Sequence, residues 1–192
     1  MNVPQSTRIP RHTAPTLNQV KQLLPSASSD HGDLQVRTVV ALVATTGIRP
    51  GELAKARWSD VNLDQHSISV SSKGQSRLVP VGPKVLELLQ SLRETGTEYV
   101  LGYHPERVIV RLSKSLRGFT TRHCGESFNF HELRHSFCLQ WLNLGGGIES
   151  LCKVAGFSSP SSFHTHFQLS PEMAFTIAAP HQAKIENALF VN

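Results

Sequence analysis

A single change of apolar period constrains this chain more than any other feature. Leu17, Val20, Leu23 and Leu24 follow Thr16 at helical spacing. Val36, Val39, Val40 and Val43 repeat that spacing in an apolar run from Leu34 to Thr45 that stops at Gly47. Residues three and four apart share one helical stripe, so both stretches predict amphipathic helices, with Thr16 as an N-cap and Gly47 as a C-cap. Pro50 opens a further short helix through Ala56. After Asp60 the period falls to two. Ile68 and Val70 alternate with polar neighbours, as does Leu78, and Pro80 and Val81 follow less regularly. Ser71, Ser72, Lys73 and Gly74 supply turn chemistry between them, which predicts a β-hairpin or small antiparallel sheet. From Pro83 the helical period returns with Val85, Leu86, Leu88, Leu89 and Leu92. Further helices are expected over 105–116, 131–144, 148–155 and about 183–189, and a polar loop over 26–32. The fold class is therefore mainly α with a small antiparallel β-sheet (α+β). At 192 residues the chain is long enough for one good core and short for two.

Composition narrows the partners. A net charge of +5 favours a polyanion, nucleic acid first. No apolar run approaches a membrane span, and Met1 to His12 lack a secretory core, so no membrane partner is expected. Three cysteines (Cys124, Cys138 and Cys152) without CxxC spacing read as reduced thiols of a cytosolic protein.

Four segments carry chemistry: Thr46 to Leu53, Ser72 to Pro80, His131 to Phe137, and Ala155 to Pro160. In-line cleavage of a phosphodiester builds negative charge on the non-bridging oxygens, which something positive must meet. Metal-dependent enzymes hold divalent ions on carboxylates, but the 14 acidic residues here form no carboxylate cluster in sequence. Arg49 and Arg134 can act instead, since each guanidinium is a rigid, permanently charged fork. His131 lies three residues before Arg134 and so projects from the same helical face. Lys73 at the hairpin tip can pass a proton to the departing 5′ oxygen. Glu52 is placed to orient Arg49 from behind, and His135 to support the site or pack beneath it. No metal and no cofactor are expected. His131-Glu132-Leu133-Arg134-His135 also satisfies H-E-x-x-H, the zinc-protease signature. That reading leaves the other segments unexplained and puts a permanent cation between two zinc ligands.

These four segments, in this order, closely resemble the tyrosine recombinase and phage integrase family over roughly Thr16 to Pro171. The family shows a T-G-x-R-x-x-E-L box, a hairpin lysine, an H-x-x-R helix, a G-H-S-S turn and then a nucleophilic tyrosine. The resemblance implies a recombinase catalytic-domain fold that breaks and rejoins DNA without metal, through a 3′-phosphotyrosine intermediate. It implies duplex DNA as partner, assembly with other recombinase subunits, and a cytoplasmic location, nucleoid-associated in a bacterium. It divides the chain into a flexible basic arm (1–15) and the catalytic domain (16–192), whose C-terminal helical tail covers about 172–192. No N-terminal core-binding domain is expected, since the residues before Thr16 are too few to build one. Two positions depart from the pattern. Phe157 stands where the family has histidine or tryptophan. The tyrosine position falls on Phe167 or, in the alternative register, His166, and the only tyrosines, Tyr99 and Tyr103, lie upstream. The expectation is a domain that binds DNA and is inactive in cleavage as written. The alternative is a non-cleaving DNA-binding or regulatory module on the same fold.

Overall fold

The computed structural model describes residues 14–24, 31–72, 74–93, 97–102, 104–167 and 171–190, with the backbone alone at 31–32, 165–166, 171–173, 175–176 and 187–190. The described elements run α1 (Leu17–Leu23), α2 (His31–Thr46), α3 (Pro50–Lys55), β1 (Val61–Asn62), β2 (Ser67–Ser72), β3 (Gln75–Pro80), α4 (Pro83–Arg93), α5 (Pro105–Cys124), α6 (Phe130–Asn143), α7 (Ile148–Ala155), α8 (Pro160–His166) and α9 (Pro171–Phe190). The three strands form one antiparallel sheet in the order β1-β2-β3. No helix among the described residues is long and apolar enough to cross a membrane.

The helix starts follow their caps. Thr16 accepts from the Gln19 amide at 3.2 Å, and the Gln19 side chain accepts from the Thr16 amide at 2.9 Å, closing a capping box. At α6, Asn129 accepts from the amides of His131 (2.8 Å) and Glu132 (3.0 Å), while Glu132 accepts from the Asn129 amide at 2.6 Å. α2 ends at Gly47, whose φ of +63° is left-handed. A Cβ there would also lie 2.4 Å from the Phe137 ring. Both the turn and the approach of α6 thus require glycine at the head of the arginine loop.

Several boundaries differ from expectation. α5 runs to Cys124 rather than 116, because Leu112, Leu116 and Phe119 sustain the buried stripe until Gly125 turns left-handed. α9 begins at Pro171, well before the helix expected near 183 and at the start of the helical tail expected over about 172–192, and continues through Pro180 despite the missing N–H of an interior proline. No helix is expected from the sequence where α8 runs. Its signal was a Ser159 cap, which accepts from the Ser162 amide at 3.0 Å, followed by Pro160. The polar loop expected over 26–32 lies outside the described residues up to 30, and its end is already helical at His31. The expected arm lies outside them up to residue 13. Pro15, its last residue, is buried, and its carbonyl accepts from Ser136 Oγ at 2.7 Å, so it belongs to the folded body. The hairpin face is also inverted at one position. Leu78 is 65% exposed, while Arg77 and Val79 turn inward opposite Val70 and Ile68.

Two apolar clusters fill the interior. The larger joins α1 to α5 with the sheet and the first turn of α6, through residues such as Leu42, Leu53, Ile68, Leu112 and Leu133. The smaller joins the rest of α6 to α7 and α8 through Phe137, Cys138, Leu151, Cys152, Phe163 and Phe167. Helix α6 belongs to both, and Arg134 sits in the turn where it passes from one to the other.

Candidate functional site

A cleft of about 790 Å³ opens at that junction. Its walls come from the start of α3 (Arg49 to Glu52), the hairpin (Ser71, Ser72 and Gly74), Ile109 of α5, α6 (His131, Arg134 and His135) and Phe157. Six residues singled out in the sequence thus meet around one space: Arg49, Glu52, His131, Arg134, His135 and Phe157. Lys73 lies outside the described residues, although its neighbours Ser72 and Gly74 line the cleft.

The two arginines are held differently. The side chain of Arg49 is 36% exposed and meets the almost fully buried Glu52 carboxylate at 3.1 Å. The same carboxylate accepts from the Arg49 amide at 2.9 Å, and the Arg49 guanidinium donates to the Gly156 carbonyl. Arg134 is only 5% exposed. One of its terminal nitrogens donates to the Gly47 carbonyl, while the other, Nη2, is buried with no hydrogen-bond partner among the described residues. Burial, with Arg49 nearby adding to it, pushes the Arg134 guanidinium down to about 10. It is therefore a cation at neutral pH, in a site that disfavours its charge. An unmatched buried cation facing a cleft is costly until an anion occupies it.

The back wall of the site contains a residue whose role the sequence reading did not assign. Arg77 of β3 grips both oxygens of Glu52, at 2.5 and 2.8 Å, and its Nε donates to the Val154 carbonyl at 3.0 Å. Burial by itself would raise the Glu52 pKa, but the Arg77 bonds, the Arg49 amide and both positive charges hold it below its ordinary value. Gly156, at φ +72°, sits against both guanidiniums, and a Cβ there would lie 2.8 Å from Arg49 Nη1 and from Arg77 Cζ. The one available sequence signal for Arg77 was its period: it shares a strand face with Val79, two residues on.

Phe157 lies over both cleft arginines, with its ring centroid 4.5 Å from the Arg134 guanidinium carbon and 5.9 Å from that of Arg49. Where the family pattern has a hydrogen-bond donor, this chain presents an aromatic face to two cations. Phe167 does not line the cleft. It is buried, stacked on Phe163 at 4.9 Å and edge-on to His135 at 4.7 Å. The side chain of His166 lies outside the described residues; its backbone ends α8. Tyr99 is engaged elsewhere, beneath the Arg57 guanidinium at 5.3 Å, and Tyr103 lies outside the described residues. Glu132, the base of the zinc-protease reading, is buried and caps α6. Among the described residues no three His, Cys, Asp or Glu side chains gather as a metal set.

Comparison with known proteins agrees with this geometry. The model of the phage integrase family matches residues 15–172. Tyrosine recombinase XerC of Proteus mirabilis is 27% identical over 192 aligned residues, covering 90% of this chain and 60% of the relative. Tyrosine recombinase XerD of Vibrio cholerae is 26% identical, covering 83% and 58%. Among solved structures, the XerA recombinase superposes with a TM-score of 0.72 at 24% identity, over 90% of this chain and 66% of that one. A phenylalanine-for-tyrosine variant of the Tn1549 transposon integrase, in complex with transposon right end DNA, gives 0.70 at 15% identity, over 97% and 69%. The chain belongs to the phage integrase family, and its fold is that of a tyrosine recombinase catalytic domain. It spans about 60% of the length of the curated relatives it matches. That family membership replaces the zinc-protease reading.

Proposed function

We propose that this chain is a DNA-binding recombinase catalytic domain whose cleft holds one backbone phosphate of duplex DNA between Arg49 and Arg134. The observation that carries the proposal is the buried Nη2 of Arg134, unpartnered among the described residues, in a cleft shared with Arg49. Its missing partner must be an acceptor, and a phosphate oxygen supplies one with the right charge. His131 donates to the same phosphate from the exposed first turn of α6, Lys73 would protonate the leaving 5′ oxygen once a nucleophile is present, and His135 supports the site from beside Phe167. Glu52 holds Arg49 in place. The two guanidiniums supply the positive charge, and no metal or cofactor is assigned. Such a domain works with other recombinase subunits on DNA, in the cytoplasm and at the nucleoid if bacterial. The arm and tail flank the domain.

As written, the domain binds without cleaving. Neither candidate for the nucleophile position, Phe167 or His166, carries a hydroxyl, and Phe167 is packed away from the cleft. This absence favours a second reading, a non-cleaving regulatory module on the same fold. Two measurements test the proposal. Affinity for duplex DNA should fall steeply with salt, by a log–log slope of about −0.9 for each phosphate neutralised, and a flat dependence would end the reading. On a pool of nicked duplexes the unsubstituted protein should form no covalent adduct. Phe167→Tyr, or His166→Tyr in the other register, should restore one. Failure of both leaves the regulatory reading in possession; an adduct with the unsubstituted protein, mapped to His166, makes histidine the nucleophile.

A further inference from the structure

Arg77 does not itself line the cleft, yet it ties together three segments that build it. Its guanidinium grips Glu52 on α3, its Nε holds the Val154 carbonyl at the end of α7, and its backbone sits in β3, two residues from the hairpin turn. Glu52 is shared, since the carboxylate that Arg77 fixes is the one that holds Arg49. The Gly156 carbonyl, two residues beyond Val154, accepts from Arg49. Arg49 therefore rests on two supports, and Arg77 fixes the position of both.

We infer that Arg77 is a positioning residue for phosphate binding: it locks Glu52 and the end of α7 in one register, and thereby sets where the Arg49 guanidinium points. The inference rests on the phosphate-binding reading of the cleft. Arg77 is 17% exposed and Glu52 3%, so the pair is shielded from solvent and its two-pronged geometry resists rotation. A lysine in its place keeps the charge but cannot hold two carboxylate oxygens and the Val154 carbonyl together.

The test is titration of inorganic phosphate against the full chain, followed through the ¹⁵N side-chain signals of its arginines, with melting temperature measured in parallel. Four proteins are compared: unsubstituted, Arg77→Lys, Arg77→Met, and Arg77→Met with Glu52→Gln. The double variant has the same net charge as the unsubstituted protein and leaves no buried carboxylate short of a partner, so it remains informative if Arg77→Met alone does not fold. Positioning predicts that Arg77→Lys retains most of the melting temperature yet binds phosphate at least about tenfold more weakly, a loss of about 1.4 kcal/mol. The double variant stays equally weak. If Arg77 acts only through its charge, Arg77→Lys binds normally. Binding by either within twofold of the unsubstituted protein overturns the inference while leaving the phosphate site intact. A cleft that takes up no phosphate even in the unsubstituted protein removes that reading and this inference together.

Discussion

The corner between α2 and α3 and the middle of α6 each deliver one arginine to the same cleft, by opposite physical means. Arg49 is half-exposed and bonded on its inner side, to a carboxylate and to the end of a helix. Arg134 is buried, bonded to the Gly47 carbonyl, and left with one nitrogen unpartnered among the described residues. The first is held in shape without a ligand; the second is left unsatisfied without one. Under the phosphate-binding proposal, one region sets the geometry in advance, while the other supplies the drive to bind an anion.

The largest expected effect separates the two. Arg134→Met should weaken DNA binding by roughly 2–5 kcal/mol, since it removes a desolvated cation from the phosphate. Its melting temperature should stay within a few degrees, because an unmatched buried charge is replaced by an apolar side chain. Arg49→Met should weaken binding and also lower stability by about 1–3 kcal/mol, because the Gly156 carbonyl and Glu52 each lose a charged donor. Equal thermal losses in the two variants would erase the distinction. Differential scanning calorimetry and fluorescence anisotropy on one duplex read both quantities.

A smaller effect sharpens the Arg49 side. Gly156→Ala puts a methyl 2.8 Å from both Arg49 and Arg77 and forces a left-handed backbone on a non-glycine residue. The strain should cost about 1–3 kcal/mol, read by urea denaturation, and should weaken phosphate binding through Arg49 while the Arg134–Gly47 contact survives.

The smallest effect is in pH. The Glu52 carboxyl titrates below its ordinary value of 4.5 in the folded protein, so the folded state binds fewer protons there than the unfolded chain. Its contribution to stability is complete above that ordinary value and is lost as pH falls through the depressed one. At the other end, phosphate affinity should fall as pH rises through about 10, where Arg134 gives up its charge. Acid unfolding of Glu52→Gln should lack the first component, and Arg134→Met should lack the alkaline limb of binding.

Much of this was legible in the sequence because it depends on local rules. Helical period, the Thr16 cap, Gly47 and the hairpin turn are decided by residues within four positions of one another. The order Arg49, His131, Arg134 and Gly156 was readable as well, because those positions match the family's motifs, and the structure brings Arg49, His131 and Arg134 to one cleft. The α6 cap at Asn129 and the α8 cap at Ser159-Pro160 were equally local and went unread. What the sequence left open depends on partners far along the chain. Alternation suggested that Leu78 faces inward. Arg77 faces inward instead, because Glu52, 25 residues away, and the Val154 carbonyl, 77 residues away, supply the bonds that make burial of a cation tolerable. In the same way, local pattern put Arg134 on the cleft face of α6 with His131. Only the meeting of two apolar clusters around that helix turn made it a buried cation with an unfilled bond.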